Sequence, residues 1–219
     1  MQDKLIKENP VKAAQLPKIT IESPNPFTAE EIQWILADIK KHHPMMVGFF
    51  AIGFYTGMRT GEIMALKWSN INFEKNTILV NATHTASRVK DSTKNGKSRE
   101  VNIIPSLDEY LLAQKAYTFF RGGYVFMTQY GRPYMNMTSI VQRYWKPALE
   151  RLGLRYREPY QMRHTFACMM IDARENIKWV ANMLGHADLS MVTKRYGNWY
   201  APIEGRAGMK YEERKEAVL

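Results

Sequence analysis

The sequence has little cysteine and no long apolar run, and both absences narrow the class of protein. Of its 219 residues only Cys168 is a cysteine, which excludes a disulfide framework and a cysteine-based zinc site. No apolar stretch approaches the ~18 residues of a membrane-spanning helix, and the first residues lack the apolar core of a signal peptide. We therefore expect a soluble, cytoplasmic protein that does not contact a membrane.

Acidic residues are scarce relative to basic ones. Lys and Arg together number 31 against 21 Asp and Glu, which gives a net charge of +10. A surplus of this size indicates a polyanionic partner, nucleic acid before a membrane surface. Hydrophobic residues make up 45% of the chain, enough for one sizeable core, and the length suits one domain with or without a tail.

The chain divides into three regions by composition. Residues 1–26 hold four prolines in a polar stretch, which predicts a linker that follows an earlier part of the protein. Residues 27–200 carry the patterns of a folded domain. Residues 201–219 form a tail whose short amphipathic segment needs an apolar groove to stay helical, on this subunit or on a neighbour.

Hydrophobic periodicity predicts a mainly helical domain with a small antiparallel sheet (α+β). Thr28 and Glu31 form a capping box ahead of an amphipathic helix, and the apolar run 44–55 predicts a buried helix that ends near Gly57. β-branched residues at 77–80 and 101–104 predict two strands joined by a basic, polar connection. Further helices are predicted at 59–66, 106–120 (capped by Ser106), 138–152, 160–173, 177–184 and 189–196.

Two arginines stand at the ends of apolar helices. Arg59 follows the predicted buried helix, and Arg163 begins another apolar helix. An arginine beside a core helix is costly unless an anion pairs with it, and the candidate anions are Glu62 or an incoming phosphate. A guanidinium group suits phosphate because it forms forked, charge-assisted hydrogen bonds. Taken singly, each arginine also fits an ion-paired helix cap.

Four motifs in a fixed order, together with a matching basic hairpin, resemble the tyrosine recombinases, the phage-integrase family. The resemblance runs from about Phe27 to Tyr200 and implies the DNA breaking–rejoining catalytic fold of that family. It also implies that residues 1–26 are the interdomain linker and the end of the family's N-terminal DNA-binding domain, which is otherwise missing. The motifs and the hairpin are Thr-Gly-Met-Arg-Thr-Gly-Glu at 56–62, Thr-Lys-Asn-Gly-Lys at 93–97, Tyr-Gln-Met-Arg-His at 160–164, Leu-Gly-His at 184–186 and Lys-Arg-Tyr-Gly at 194–197. Core packing gives no reason for all of them to occur in this order.

The resemblance implies a role for each matching residue. Arg59 and Arg163 clamp the scissile phosphate, and Glu62 holds Arg59 in place. A lysine of the predicted β-hairpin protonates the leaving oxygen, and Tyr196 is the nucleophile. The predicted catalytic set is Arg59, Lys94 (with Lys97 as the alternative), Tyr160, Arg163, His186 and Tyr196, and the predicted DNA contacts are Lys90, Lys97 and Arg99.

One position departs from the family pattern. The family usually has His, sometimes Lys, where this chain has Tyr160, so the identity of the general base stays open. This departure favours one rival interpretation, a DNA-binding relative that has lost the reaction. A second rival is a type IB topoisomerase, which uses the same set of groups to relax supercoils. The short spacing from His186 to Tyr196 favours a recombinase.

The resemblance also implies the reaction and its partners. A tyrosyl oxygen attacks a DNA phosphodiester without metal or cofactor and forms a 3′-phosphotyrosyl linkage, which a 5′ hydroxyl can reverse. The expected partners are double-stranded DNA, other copies of the chain in a tetramer on DNA, and accessory DNA-bending or directionality proteins. We therefore expect a site-specific recombinase that integrates or excises a phage or mobile element in the nucleoid of a bacterial host.

Overall fold

A computed structural model describes residues 24–85, 88–90, 98–186 and 188–197. Predictions for the linker, for Lys94 and Lys97, and for the tail beyond residue 197 fall outside these residues. The elements in chain order are α1 (Ala29–His42), α2 (Val47–Thr56), α3 (Thr60–Met64), β1 (Ile71–Asn72), β2 (Thr77–Val80), β3 (Thr83–Thr85), β4 (Arg88–Lys90), β5 (Arg99–Asn102), α4 (Pro105–Thr118), α5 (Met137–Ile140), α6 (Lys146–Arg151), α7 (Gln161–Asp172), α8 (Ile177–Leu184) and α9 (Ser190–Tyr196).

The predicted fold class is confirmed, because helices dominate and the strands are few, short and antiparallel. One sheet has the order β1-β2-β5, and β3 pairs with β4 in a separate two-stranded ribbon. In the larger sheet Ile78 lies opposite Val101, and both are fully buried. The strand predicted at 101–104 starts two residues earlier, at Arg99, and ends at Asn102 because its partner strand begins at Thr77.

Helix α2 forms the centre of the core, as its apolar sequence predicts. All ten of its residues are buried, and α4 and α7 pack against it. Phe50 stacks on Trp145 with ring centroids 5.3 Å apart. The helix ends at Gly57, whose φ of 65° is the left-handed conformation that glycine adopts most readily. This turn directs the next residues towards the candidate site.

Two helix predictions need correction. The helix predicted to be capped by Ser106 begins one residue earlier, at Pro105, with Ile104 as its N-cap and no side-chain cap. Proline suits the first helical position because it lacks the N–H that would be unpaired there. The single helix predicted at 138–152 is interrupted by a π-helical turn, Val141–Trp145. The turn accompanies complete burial of Trp145.

The predicted capping box of α1 is confirmed. The Thr28 side chain accepts a hydrogen bond from the Glu31 backbone, and the Glu31 side chain accepts one from the Thr28 backbone. The helix then buries the face that contains Ile32, Leu36 and Ile39. In the part of the chain that is described, no helix combines the length and the apolar character required to cross a membrane.

Candidate active site

Arg59 and Glu62 lie at the start of α3. The backbone N–H of Arg59 donates to Glu62 Oε2 at 2.9 Å, and Arg59 Nη1 donates to Glu62 Oε1 at 3.0 Å. The Glu62 side chain is almost wholly buried, whereas 25% of the Arg59 side chain is exposed. The expected contact between these two residues is therefore present, and Arg59 keeps a face open towards solvent.

Arg99, at the start of β5, binds the same Glu62 carboxylate. Its Nη1 donates to Glu62 Oε1 at 3.0 Å, its Nη2 donates to Glu62 Oε2 at 2.8 Å, and its Nε donates to the Met183 carbonyl oxygen at 3.1 Å. Only 9% of the Arg99 side chain is exposed. All three of these bonds point into the protein, so Arg99 has internal partners in the protein without DNA, and its predicted DNA contact stays a prediction.

The sequence contains a signal for this inward orientation of Arg99. Side chains two residues apart on a strand share a face, and Val101 on the same strand is fully buried. If the predicted strand at 101–104 is extended by two residues towards the N-terminus, the side chain of Arg99 therefore points into the protein. An inward arginine needs a buried carboxylate, and Glu62 is the one buried acid among the described residues.

The two guanidinium groups keep Glu62 ionised. Burial by itself raises the pKa of Glu62, but the hydrogen bonds and charge of Arg99, together with Arg59, outweigh burial and hold the pKa below its usual value. The carboxylate is therefore charged at neutral pH. It neutralises only one of its two arginine partners, so a positive charge remains at this corner of the site.

Arg163 lies in the first turn of α7 and is the most deeply buried charge of the site. Its Nη1 donates to the Gly57 carbonyl oxygen at 2.7 Å, and its Nη2 donates to His186 Nε2 at 2.9 Å. Burial, followed by the charge of Arg59, lowers the pKa of Arg163 to about 10. The group still carries its charge at pH 7, and both of its hydrogen-bond acceptors are uncharged.

His186 follows Gly185 at the C-terminal end of α8. Burial, and then the charges of the nearby arginines, lower its pKa to about 4, so the ring is neutral at pH 7. Because Arg163 can only donate, Nε2 of His186 is the acceptor and Nδ1 carries the proton. The Nδ1 atom is buried and has no hydrogen-bond partner among the described residues. It is a spare donor beside two cations.

Tyr196 is the last residue of α9 and is 1% exposed. Its hydroxyl lies 2.6 Å from Nδ1 of His164, the residue after Arg163. Burial raises the pKa of Tyr196 well above its usual value, although Arg163 and Arg195 oppose that shift. The sequence gives no sign of this contact between His164 and the tyrosyl oxygen, because the chain separates the two residues by 32 positions.

Tyr160, the residue that departs from the family pattern, lies just before α7 at the solvent edge of the cluster. It is 47% exposed, and its ring packs edge-on against the ring of His164 with centroids 5.0 Å apart. Tyr160 therefore touches the histidine that contacts the tyrosine. Its predicted catalytic role stays a prediction.

The basic connection between the strands is described only in part. Lys90 ends β4, which pairs with β3 so that Lys90 lies opposite Thr83. The proposed lysine of the reaction, Lys94, and its alternative Lys97 lie outside the described residues. Their roles and the DNA contacts of Lys90 and Lys97 stay predictions.

The charges of the cluster make it an anion site. Two guanidinium groups, from Arg59 and Arg99, share the Glu62 carboxylate, whereas the third, from Arg163, bonds only to uncharged acceptors, one of which is the neutral His186. The remaining positive charge, one open arginine face and one spare ring N–H can accept an oxyanion such as a DNA phosphate. Among the residues that are described, no group of three or more acidic, histidine or cysteine side chains is placed to hold a metal ion.

The structure thus combines an anion site beside a tyrosyl oxygen with a mainly helical domain that has a small sheet. The chain belongs to the phage integrase family, whose model matches residues 25–201. The family predicted from the motifs is thereby confirmed.

Individual relatives agree with this assignment. The chain is 30% identical to the prophage integrase IntR of Escherichia coli, over 80% of this chain and 48% of the relative. It is 28% identical to a XerC-like tyrosine recombinase of Caldanaerobacter subterraneus, over 78% of this chain and 49% of that protein. The chain thus spans about half the length of these relatives.

Solved structures share the fold. The integrase of the Tn1549 transposon, in complex with a circular intermediate DNA, superposes with a TM-score of 0.72 at 22% identity, over 97% of this chain and 73% of that one. A lambda integrase dimer bound to a COC′ core site superposes with a TM-score of 0.65 at 20% identity, over 85% of this chain and 66% of that one. At these identities the likeness establishes the fold.

Proposed function

We propose that this chain is the catalytic part of a site-specific DNA recombinase that integrates or excises a phage or mobile element. The observation that carries the proposal is the meeting of Arg59, Arg163 and His186 in one anion site, with Tyr196 held by the residue next to Arg163. Each of these residues occupies the matching position of its family motif.

The phosphate-binding step follows from the donors that the site leaves free. Arg59 is held by Glu62 on one side and is open on the other. Arg163 and the Nδ1–H of His186 add a second cation and a neutral donor. Donors that are fixed before the reaction stabilise the charge on the phosphorane-like transition state without reorganisation. Stabilisation of this kind usually contributes more to the rate than any other single effect.

The covalent step joins Tyr196 to DNA. The tyrosyl oxygen loses its proton to solvent water and attacks the phosphorus. The bond from phosphorus to the 5′ oxygen breaks, and the 5′ oxygen takes a proton from Lys94 in the proposed assignment. The product is a 3′-phosphotyrosyl linkage that conserves the energy of the phosphodiester bond. A second 5′ hydroxyl reverses these steps on another strand, so rejoining needs no ATP.

The partners follow from the same proposal. Double-stranded DNA supplies the anion, and the exchange of two duplexes requires several copies of the chain, in our proposal a tetramer on DNA. We also propose that the reaction needs no metal, because the two arginines supply positive charge at the phosphate. Cleavage in EDTA tests this point, and a strict Mg²⁺ requirement would contradict it.

A nicked suicide substrate tests the proposal directly. The duplex carries the junction sequence of the element that encodes the chain, with a nick near the cleavage point so that the released end diffuses away and traps the adduct. We expect a covalent protein–DNA complex with the wild-type chain and none with Tyr196→Phe, which removes only the nucleophilic oxygen. The matched control Tyr200→Phe changes a second tyrosine four residues away and should form the adduct.

The outcomes separate the rival functions. Adducts that persist in Tyr196→Phe and disappear in Tyr200→Phe would overturn the assignment of the nucleophile. DNA binding without any adduct would indicate a relative that has lost the reaction. Adducts combined with relaxation of supercoiled plasmids that lack the junction sequence would indicate a topoisomerase.

A further inference from the structure

His164 is a buried histidine whose hydrogen bonds the proposed mechanism does not use. It is 4% exposed and follows Arg163 on α7. Its Nδ1 lies 2.6 Å from Tyr196 Oη, and its Nε2 lies 3.4 Å from Nη2 of Arg195. The ring therefore stands between the nucleophilic oxygen and a guanidinium group of the same helix as the nucleophile.

The guanidinium group decides which ring nitrogen carries the proton. Burial, and then the charges of Arg195 and Arg163, lower the pKa of His164 to about 4, so the ring is neutral at pH 7 and holds one proton. Arg195 has only N–H donors to present. A proton on Nε2 would face those donors, so Nε2 presents its lone pair and Nδ1 carries the proton. The Nδ1–H then points at the tyrosyl oxygen.

We propose that His164 is a positioning residue for the nucleophile: Arg195 holds it in the Nδ1–H form, and its N–H donates to the oxygen of Tyr196. This donor fixes the direction of the oxygen and stabilises the negative charge that it acquires when the phenolic proton leaves to solvent. His164 keeps its own proton throughout. The inference rests on the proposed function, because it assigns a purpose to the contact within the same reaction.

The other groups around the tyrosyl oxygen are consistent with a need for such a donor. Burial and the neighbouring Tyr160 and Cys168 raise the pKa of Tyr196, whereas Arg163 and Arg195 lower it. A hydrogen bond donated to the charged form favours that form. His164 therefore acts in the same direction as the two arginines, and in a buried place where a donor has a large effect.

The alternative is that His164 accepts the phenolic proton as a general base. That role needs the proton on Nε2, in the direction of Arg195. It also needs a ring pKa near the working pH for efficiency, whereas the pKa of His164 is about 4 in the protein without DNA. The two roles differ in the direction of one hydrogen bond, and experiment can distinguish them.

The first test reads the tautomer without any reaction. The chain has five histidines, so ¹⁵N labelling of the imidazole rings gives few signals, and His164→Asn identifies the one that belongs to residue 164. If that variant does not fold, the shift caused by Tyr196→Phe identifies it instead. At pH 7 we expect a neutral ring protonated on Nδ1, and a shift towards the Nε2–H form in Arg195→Met. An Nε2–H form or an imidazolium in the wild type would overturn the inference.

The second test replaces His164 with two amide side chains of different length, asparagine and glutamine. The side-chain nitrogen of asparagine overlays Nδ1 of histidine, and that of glutamine overlays Nε2. We expect His164→Asn to cleave the suicide substrate within about tenfold of the wild-type rate, and His164→Gln to lose about a hundredfold at pH 7. Thermal unfolding and DNA affinity of both variants control for folding.

The pH profile separates positioning of the nucleophile from packing. Loss of a donor to the phenolate raises the pKa of Tyr196, so cleavage by His164→Gln should continue to rise with pH beyond the point at which the wild-type rate levels off, and its deficit should shrink only above that point. A deficit that persists after both rates have levelled off indicates packing alone and overturns the inference. Equal inactivity of the two variants indicates a proton acceptor and also overturns it. If the wild type forms no adduct, the proposed function fails, whereas the tautomer measurement still tests the hydrogen bond.

Discussion

The two ends of the candidate site are built differently. At one end, which we call the phosphate end, Glu62 accepts hydrogen bonds from both Arg59 and Arg99 and so links α3 to β5. Arg99 also donates a hydrogen bond to the Met183 carbonyl oxygen in the last turn of α8. At the tyrosine end, a helix of seven residues carries Tyr196, and a hydrogen bond joins its hydroxyl to His164. The phosphate end is held by ion pairs that are present without DNA, whereas the proposed nucleophile, Tyr196, is positioned by its burial and by one hydrogen bond.

This difference predicts different consequences for substitutions at the two ends. A change at the phosphate end breaks a network that also holds the fold together, so it should affect both stability and cleavage. Removal of the hydroxyl alone, as in Tyr196→Phe, should stop cleavage at a smaller cost in stability, because a buried donor left without its acceptor costs about 1–3 kcal/mol.

The largest expected effect is at Arg163. Arg163→Ala removes a buried cation and leaves the Gly57 carbonyl and His186 without their donor. We expect cleavage at saturating DNA to fall about a thousandfold, the scale for loss of a transition-state donor. Arg163→Lys, which keeps the charge but not the forked geometry, is the matched control and should recover part of the rate. A loss below tenfold in Arg163→Ala would show that the reaction does not pass through this site.

Substitution of Glu62 should affect stability most. Glu62→Gln leaves Arg99 buried without an anion, and removal of one partner from a buried pair costs about 3–5 kcal/mol. Urea denaturation at pH 7 measures this cost. Glu150→Gln is the control, because its 3.8 Å pair with Lys146 is exposed; that change should cost less than about 1 kcal/mol.

The Glu62→Gln variant also tests how the stability of the protein depends on pH. The folded pKa of Glu62 lies below its ordinary value near 4.5, so the unfolded chain binds its proton first as pH falls. The contribution of Glu62 to stability is therefore complete above about pH 5 and is lost progressively at lower pH. We expect the stability gap between wild type and Glu62→Gln to narrow below pH 4.5. A gap that stays constant down to pH 3 would show that the carboxylate is not ion-paired in the folded protein.

The main features of the site were predictable because they reside in short local patterns. The positions of Arg59, Arg163, His186 and Tyr196 follow from motifs that mark helix ends, and the structure brings all four into one cluster. The capping box at Thr28 and the turn at Gly57 depend on neighbouring residues alone. Features that depend on neighbouring residues alone can be predicted from a single sequence.

The missed features depend on contacts between distant parts of the chain. Arg99 meets Met183 across 84 positions, and His164 meets Tyr196 across 32. Such contacts arise from the packing of whole helices against the sheet, which periodicity does not specify. The π-helical turn at Val141–Trp145 is similar, because it accompanies the burial of Trp145 among side chains from other parts of the chain.

Two glycines with the same φ angle allow the cost of overpacking at the phosphate end to be separated from the cost of backbone strain. Gly57 and Gly153 both have a φ of 65°, but a Cβ at Gly57 would lie 2.6 Å from Phe166 and 2.8 Å from Leu184, whereas a Cβ at Gly153 meets nothing within 4 Å. We expect Gly153→Ala to cost about 1 kcal/mol from backbone strain. Gly57→Ala should cost about 3 kcal/mol, because overpacking is added. Equal losses of unfolding free energy in the two variants, measured by urea denaturation, would show that Phe166 and Leu184 can move away from the added Cβ at little cost.

The smallest expected effect concerns Arg99 and DNA. A phosphate contact releases about one counterion, so its loss lowers the slope of log affinity against log salt by about one. Because Arg99 directs its guanidinium at Glu62 and Met183, Arg99→Met should leave that slope unchanged, although the variant is less stable. Lys90→Met is the comparison, since the sequence predicts a DNA contact there and a slope lower by about one. Mobility-shift titrations over a range of salt, below the unfolding temperature of both variants, measure the two slopes. A lower slope in Arg99→Met would mean that the residue turns from Glu62 to the phosphate backbone when DNA binds, and the phosphate end would then be less completely assembled in advance than its ion pairs indicate.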